Sequence, residues 1–160
     1  MVLTSSLMAC GGRTHDQEEG CYALTPVRPS GIIRDECQLL ADAAANLGGR
    51  LTISGNLVEV EFRFSTPSQG ELLTVSMAGQ FAYSEEAFSA DGTAANILLP
   101  IGGQACQLQL VDVHLDAATQ SSTRFSGLIR IPTSAPRPET CICQAWFEYQ
   151  AGLSTNASCP

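Results

Sequence analysis

The sequence predicts a mainly β domain, an antiparallel β-sandwich or an up-and-down barrel with one short helix near the N-terminus. Three observations predict it. Apolar and polar residues alternate over several stretches, the period of a half-buried strand. Turn signals separate those stretches at hairpin-like spacing. Seven cysteines stand among 160 residues, a density that goes with disulfide bridges in an oxidising compartment.

The elements follow in chain order. Residues 21–34 contain Pro26, Pro29 and Gly31 and read as an irregular lead-in. Over 35–47, Cys37, Leu40, Ala41, Ala44 and Leu47 recur near helical spacing. Acidic residues open that stretch and Gly48-Gly49 closes it, so the single helix is expected there. Residues 50–54 and 57–64 are two strands joined at Gly55-Asn56, a pair suited to a tight hairpin turn. In the second of them Val58, Val60, Phe62 and Phe64 alternate with Glu59, Glu61 and Arg63. Leu73, Val75, Met77, Gly79, Phe81 and Tyr83 share one face of the longest regular strand. Asp91-Gly92 signals a turn, and 95–99 is a short apolar strand ended by Pro100. Residues 106–116 form another strand, whose apolar phase slips between Leu108/Leu110 and Val111/Val113/Leu115 and so suggests a bulge. Phe125, Gly127, Ile129 and Ile131 line one face of the next. In the last, 141–150, Cys143, Ala145, Phe147 and Tyr149 point one way and Trp146 the other.

The cysteines are Cys10, Cys21, Cys37, Cys106, Cys141, Cys143 and Cys159. The paired C-x-x-C spacing of a structural zinc site is absent. Cys141 and Cys143 lie two apart on one strand, so their side chains point the same way and would bridge each other only with strain. Separate partners are expected, Cys106 for one and Cys159 or an N-terminal cysteine for the other. Cys21 and Cys37 are candidates to tie the lead-in to the helix. Six cysteines allow fifteen connectivities, and spacing does not choose among them.

The odd count leaves one cysteine over, and the N-terminus accounts for it. Leu7-Met8-Ala9-Cys10 resembles the lipobox of bacterial lipoproteins. The resemblance covers four residues and implies cleavage before Cys10 and lipidation of its thiol. Gly11 follows the cysteine, which in that family goes with the outer membrane. The stretch 11–20 is polar and charged, carries His15, and reads as a flexible tether. The expected organisation is a residual signal, lipobox and tether over 1–20, then one disulfide-stapled domain over 21–160. The partners implied are the membrane, through the lipid, and an envelope protein or glycan.

Charge excludes one class of function. The net charge is −8 and the eight basic residues, all arginines, are scattered, whereas nucleic-acid binding needs clustered cations. No phosphate-loop pattern surrounds Gly102-Gly103 and no nucleophile-elbow pattern occurs, so neither a cofactor nor an enzymatic activity is expected.

Three places still carry candidate chemistry. Asp112, His114 and Asp116 lie two apart on one strand face, where carboxylates flanking an imidazole could hold a divalent metal or orient a general base. The commoner role of such a row is a solvated strand face. Glu59 and Glu61 likewise share a face, although glycoside chemistry draws its second carboxylate from another element. Trp146 on the polar side of the last strand could anchor a partner.

The leading expectation is a membrane-tethered, non-catalytic binding or structural module of the bacterial cell envelope, at the outer membrane or cell surface. The alternative is a carrier holding a small apolar ligand in a barrel interior lined by Leu73, Val75, Met77, Phe81 and Tyr83. A hydrolase built on His114 with Asp112 or Asp116 comes third.

Overall fold

The structure is a computed structural model and describes residues 16–43, 45–65, 73–82, 86–101, 104–134, 141–155 and 159. The expected lipidation site Cys10, His15, the first half of the expected tether and Tyr83 lie outside them.

The alternating stretches become nine strands: β1 (Gly20–Pro26), β2 (Ile32–Asp35), β3 (Asn46–Ser54), β4 (Leu57–Ser65), β5 (Leu73–Phe81), β6 (Ala87–Ile101), β7 (Gln104–Ser121), β8 (Arg124–Ser134) and β9 (Gln144–Leu153). Each pairs antiparallel with its neighbour from β3 through β9, β1 pairs with β3, and β1 also pairs with β9. The sheet thus closes into an eight-stranded up-and-down barrel. β2 continues the line of β1 along β9 after a turn at 27–31. Of the two architectures expected, the barrel is the one formed. Closure leaves β1 and β9 no open edges where they meet.

An eight-stranded barrel has an interior just wide enough for side chains to fill. Val58, Val60, Phe62 and Phe64 of β4 and Leu73, Val75, Met77 and Phe81 of β5 are all buried in one continuous cluster. At one end Tyr22, Phe81, Phe88, Phe125 and Tyr149 stack in tilted and edge-on contacts with centroids 4.8–6.1 Å apart. That end is crossed by residues assigned by composition to the tether. Gln17 is 1% exposed, and its Nε2 donates to the Tyr22 hydroxyl at 2.7 Å and to the Ser122 carbonyl at 2.8 Å. The folded part therefore includes Gln17.

The opposite end is closed by the segment expected to be helical. No helix forms among its described residues. Successive i→i+3 turns run from Asp35 to Ala45, and Gln38 takes φ +55°, which breaks a right-handed helix. The acidic signal was real but serves a turn: the Asp35 carboxylate accepts from the backbone N–H of Leu39 at 2.8 Å and of Leu40 at 2.9 Å. Arg28 donates to the Leu40 carbonyl at 2.6 Å. With its backbone satisfied by side chains, the segment can turn Leu39 and Leu40, adjacent in sequence, both inward to 1% exposure. A helix would have set them about 100° apart. Each such burial stabilises by roughly 1.5–3 kcal/mol.

Three bridges hold the barrel: Cys21–Cys159, Cys37–Cys143 and Cys106–Cys141. Cys141 and Cys143 take separate partners, one of them Cys106 and the other N-terminal, as their spacing implied. The suggested tie between Cys21 and Cys37 does not form. Each of these cysteines instead reaches a C-terminal partner, because closing the barrel brings the two ends of the chain together. The bridges are nested, spanning 138, 106 and 35 residues. Three disulfides fit an extracytoplasmic protein.

Two further expectations change. Asp91-Gly92 is not a turn but the middle of β6, a 15-residue strand. A Cβ on Gly92 would lie 2.4 Å from the Ser76 carbonyl oxygen, so the glycine serves a close approach to β5. The phase slip in β7 is likewise not a one-sided bulge. Ala95 still faces Leu110 and Ile97 still faces Leu108. Asn96, at φ +56°, lies between them, and both strands reverse their inward face at this one rung. The apolar pattern slips, yet the register is kept.

Candidate functional site

With the inward side chains buried in one apolar cluster, the polar chemistry lies on the outer face. Strand pairing sets one outward row directly across the sheet: Asp91 of β6 faces His114 of β7, His114 faces Arg130 of β8, Arg130 faces Trp146 of β9, and Trp146 faces Arg34 of β2. Asp116 stands next to His114 on the same face of β7.

The side chains in this row are joined. His114 Nδ1 lies 2.5 Å from Asp91 Oδ1, and His114 Nε2 lies 3.0 Å from Asp116 Oδ1. Arg130 Nη2 donates to Asp116 Oδ2 at 3.2 Å, and its guanidinium carbon sits 5.3 Å from the centre of the Trp146 ring. The Trp146 Nε1 is buried without a hydrogen-bond partner. The hydrogen bond to Asp91 outweighs the opposing effect of burial and, with a lesser contribution from Asp116, holds the His114 imidazole above its ordinary range near 6.5.

The three β7 residues singled out by sequence do share a face, but they do not act as one group. Asp112 accepts from Thr93 Oγ1 at 2.6 Å. His114 joins Asp116 and, across the ladder, Asp91. No group of three or more His, Cys, Asp or Glu suited to a metal ion occurs among the described residues. Nor is the imidazole poised as a base: each ring nitrogen already faces a carboxylate, so neither nitrogen is free to accept a proton from a nucleophile. Of the two other candidates, Glu61 pairs with Arg63 at 2.5 Å, whereas Glu59 lies beside a second depression of about 400 Å³ together with Thr52 and Asp91.

Asp91 is missed by sequence reasoning because Asp91-Gly92 reads as a turn, and Arg130 because its place opposite His114 depends on the β7–β8 register. A signal was available. The sequence carries Gly102-Gly103, a turn-type pair, and a hairpin centred there sets residue 91 opposite residue 114, the register observed.

Beside this row lies a depression of about 910 Å³ across β5–β9, bordered by the turn that joins β1 to β2. Val27, Ile33 and Leu128 line it along with the buried Phe81, Phe88 and Tyr149, and Gln80, Glu148 and Gln150 are its exposed polar groups. Ile33 is 54% exposed. Asp116 borders both features.

These features define a disulfide-stapled, closed antiparallel barrel with an outward-facing polar row and an adjoining shallow groove. Comparison with family models, curated proteins and solved structures finds no match.

Proposed function

We propose that the protein is a membrane-tethered, non-catalytic binding or structural module of the bacterial cell envelope. The observation that carries this reading is the packed barrel: Phe62, Phe64, Leu73, Val75 and Met77 are buried in one continuous cluster, which favours recognition on the outer face over carriage inside. The groove that Asp116 borders sets the exposed Ile33 among polar neighbours such as Glu148 and Gln150, the mixture expected of a contact surface. The three bridges suit a compartment without reducing thiols. The lipobox resemblance at Leu7-Met8-Ala9-Cys10 supplies the tether.

Intact mass of protein extracted unreduced from its native membranes tests the anchor. The expected species begins at Cys10, carries added lipid, and exposes six alkylation sites after reduction alone. A chain that retains Met1 with free thiols overturns it. Binding is tested on the purified domain with detergent-solubilised envelope. A retained protein or glycan should be lost when Ile33 and Leu128 are both changed to Glu. Equal retention by that variant rejects the groove as the contact surface.

A further inference from the structure

We propose that His114 is a pH-operated clasp on the outer face of the barrel, closed while the imidazole carries both protons and read out at Trp146 through Asp116 and Arg130. The argument begins with proton count. A neutral imidazole has one N–H donor and one lone pair. Here both ring nitrogens face carboxylate oxygens, at 2.5 Å and 3.0 Å, and carboxylates only accept. The doubly protonated ring satisfies both contacts. Once a proton is lost, a lone pair faces a carboxylate, and one of the two contacts must open.

The charged groups around the ring come from three strands. β6 supplies Asp91, β7 supplies Asp112 and Asp116, and β8 supplies Arg130. On the far side Ala78 of β5 separates Asp91 from Glu59 of β4. Asp112 is engaged by Thr93. Asp116 is therefore shared between two cations, with one oxygen on His114 and the other on Arg130. Loss of the imidazolium leaves Arg130 as its only cationic partner in this cluster. The guanidinium then redistributes between that carboxylate and the Trp146 ring, which it covers from 5.3 Å. The raised affinity of the ring for its proton has the same cause, hydrogen bonds to Asp91 and Asp116. The inward side of these strands is packed, so the response stays on the outer face, beside the groove that Asp116 borders.

The chain contains one tryptophan and two histidines, which makes the test direct. In the disulfide-intact protein carrying His15→Gln, one imidazole and one indole N–H are followed by NMR against pH, with intrinsic fluorescence alongside. The expected result is a His114 midpoint above 6.5, with the Trp146 indole and fluorescence titrating at that same midpoint. Asp91→Asn should lower the midpoint. Arg130→Gln should leave His114 titrating while silencing the Trp146 response, which a merely structural role for Arg130 would not do. A midpoint at or below 6.5, or an indole that does not respond as His114 titrates, overturns the proposal. Both outcomes are read on the His15→Gln protein itself, so neither depends on a substitution within the cluster.

Discussion

The Tyr149 hydroxyl donates to the Asp116 backbone carbonyl at 2.9 Å, reaching from β9 to β7 past the intervening strand β8. Gly127 makes this possible. It lies between them in the ladder, facing Ala117 on one side and Tyr149 on the other. The carbonyl that accepts from Tyr149 occupies the space a side chain at 127 would need. Burial pushes the phenol far above its usual range, so the hydroxyl remains a donor. Tyr149→Phe would leave the carbonyl without its partner and should cost about 1–2 kcal/mol in urea unfolding, with little change in the slope.

Gly127→Ala should cost more. Its Cβ would lie 1.8 Å from the Asp116 oxygen, an overlap that only movement of β7 or β8 can relieve. About 2–3 kcal/mol is expected, the upper range for overpacking. Gly152→Ala is the control on the neighbouring strand, since nothing lies within 4 Å of its Cβ position. It should stay within about 0.5 kcal/mol of the parent. Equal effects in the two variants would mean that Gly127 owes nothing to the crowded carbonyl.

The nested bridges should not contribute independently. Alone, a loop of 138 residues closed by Cys21–Cys159 would stabilise by about 5 kcal/mol through chain entropy. Once Cys37–Cys143 is closed, only 16 residues on each side remain to be constrained, and the outer bridge should lose about 1 kcal/mol of that contribution. A cycle of Cys21→Ser/Cys159→Ser with and without Cys37→Ser/Cys143→Ser measures the difference. A larger effect of the outer bridge when the middle one is present would contradict the entropic account.

Most of the barrel was legible because alternation reports directly on a sheet with one wet and one packed face. Val58 to Phe64 and Phe125 to Ile131 are in the phase the pattern required. The failures share a cause, which is that local signals were answered by distant groups. Asp35 and the apolar spacing after it resemble a helix start, yet Leu39 and Leu40 are drawn inward together to close the barrel. Asp91-Gly92 resembles a turn, yet Gly92 is demanded by the approach of Ser76. His114 was visible as a candidate, but its partners Asp91 and Arg130 come from adjacent strands and depend on register, which composition does not report.

The same row makes stability depend on pH with a definite sign. The folded-state affinity of His114 for its proton is raised, chiefly by the hydrogen bond to Asp91. Above about pH 6.5 the unfolded chain has released this proton while the folded chain keeps it. The contribution is therefore fully present below about pH 6.5 and is lost as pH rises through the folded-state value. The ring and both carboxylates are partly or largely exposed, so solvent screening limits the loss to at most about 1 kcal/mol. Few other groups confuse this window: the chain has no lysine, the described cysteines are bridged, and burial moves both described tyrosines upward. Urea midpoints for the His15→Gln protein should accordingly fall between pH 6 and pH 9, and His114→Gln should flatten that slope. A parent protein that becomes more stable over the same interval would show that the clasp in the folded state does not favour the protonated ring.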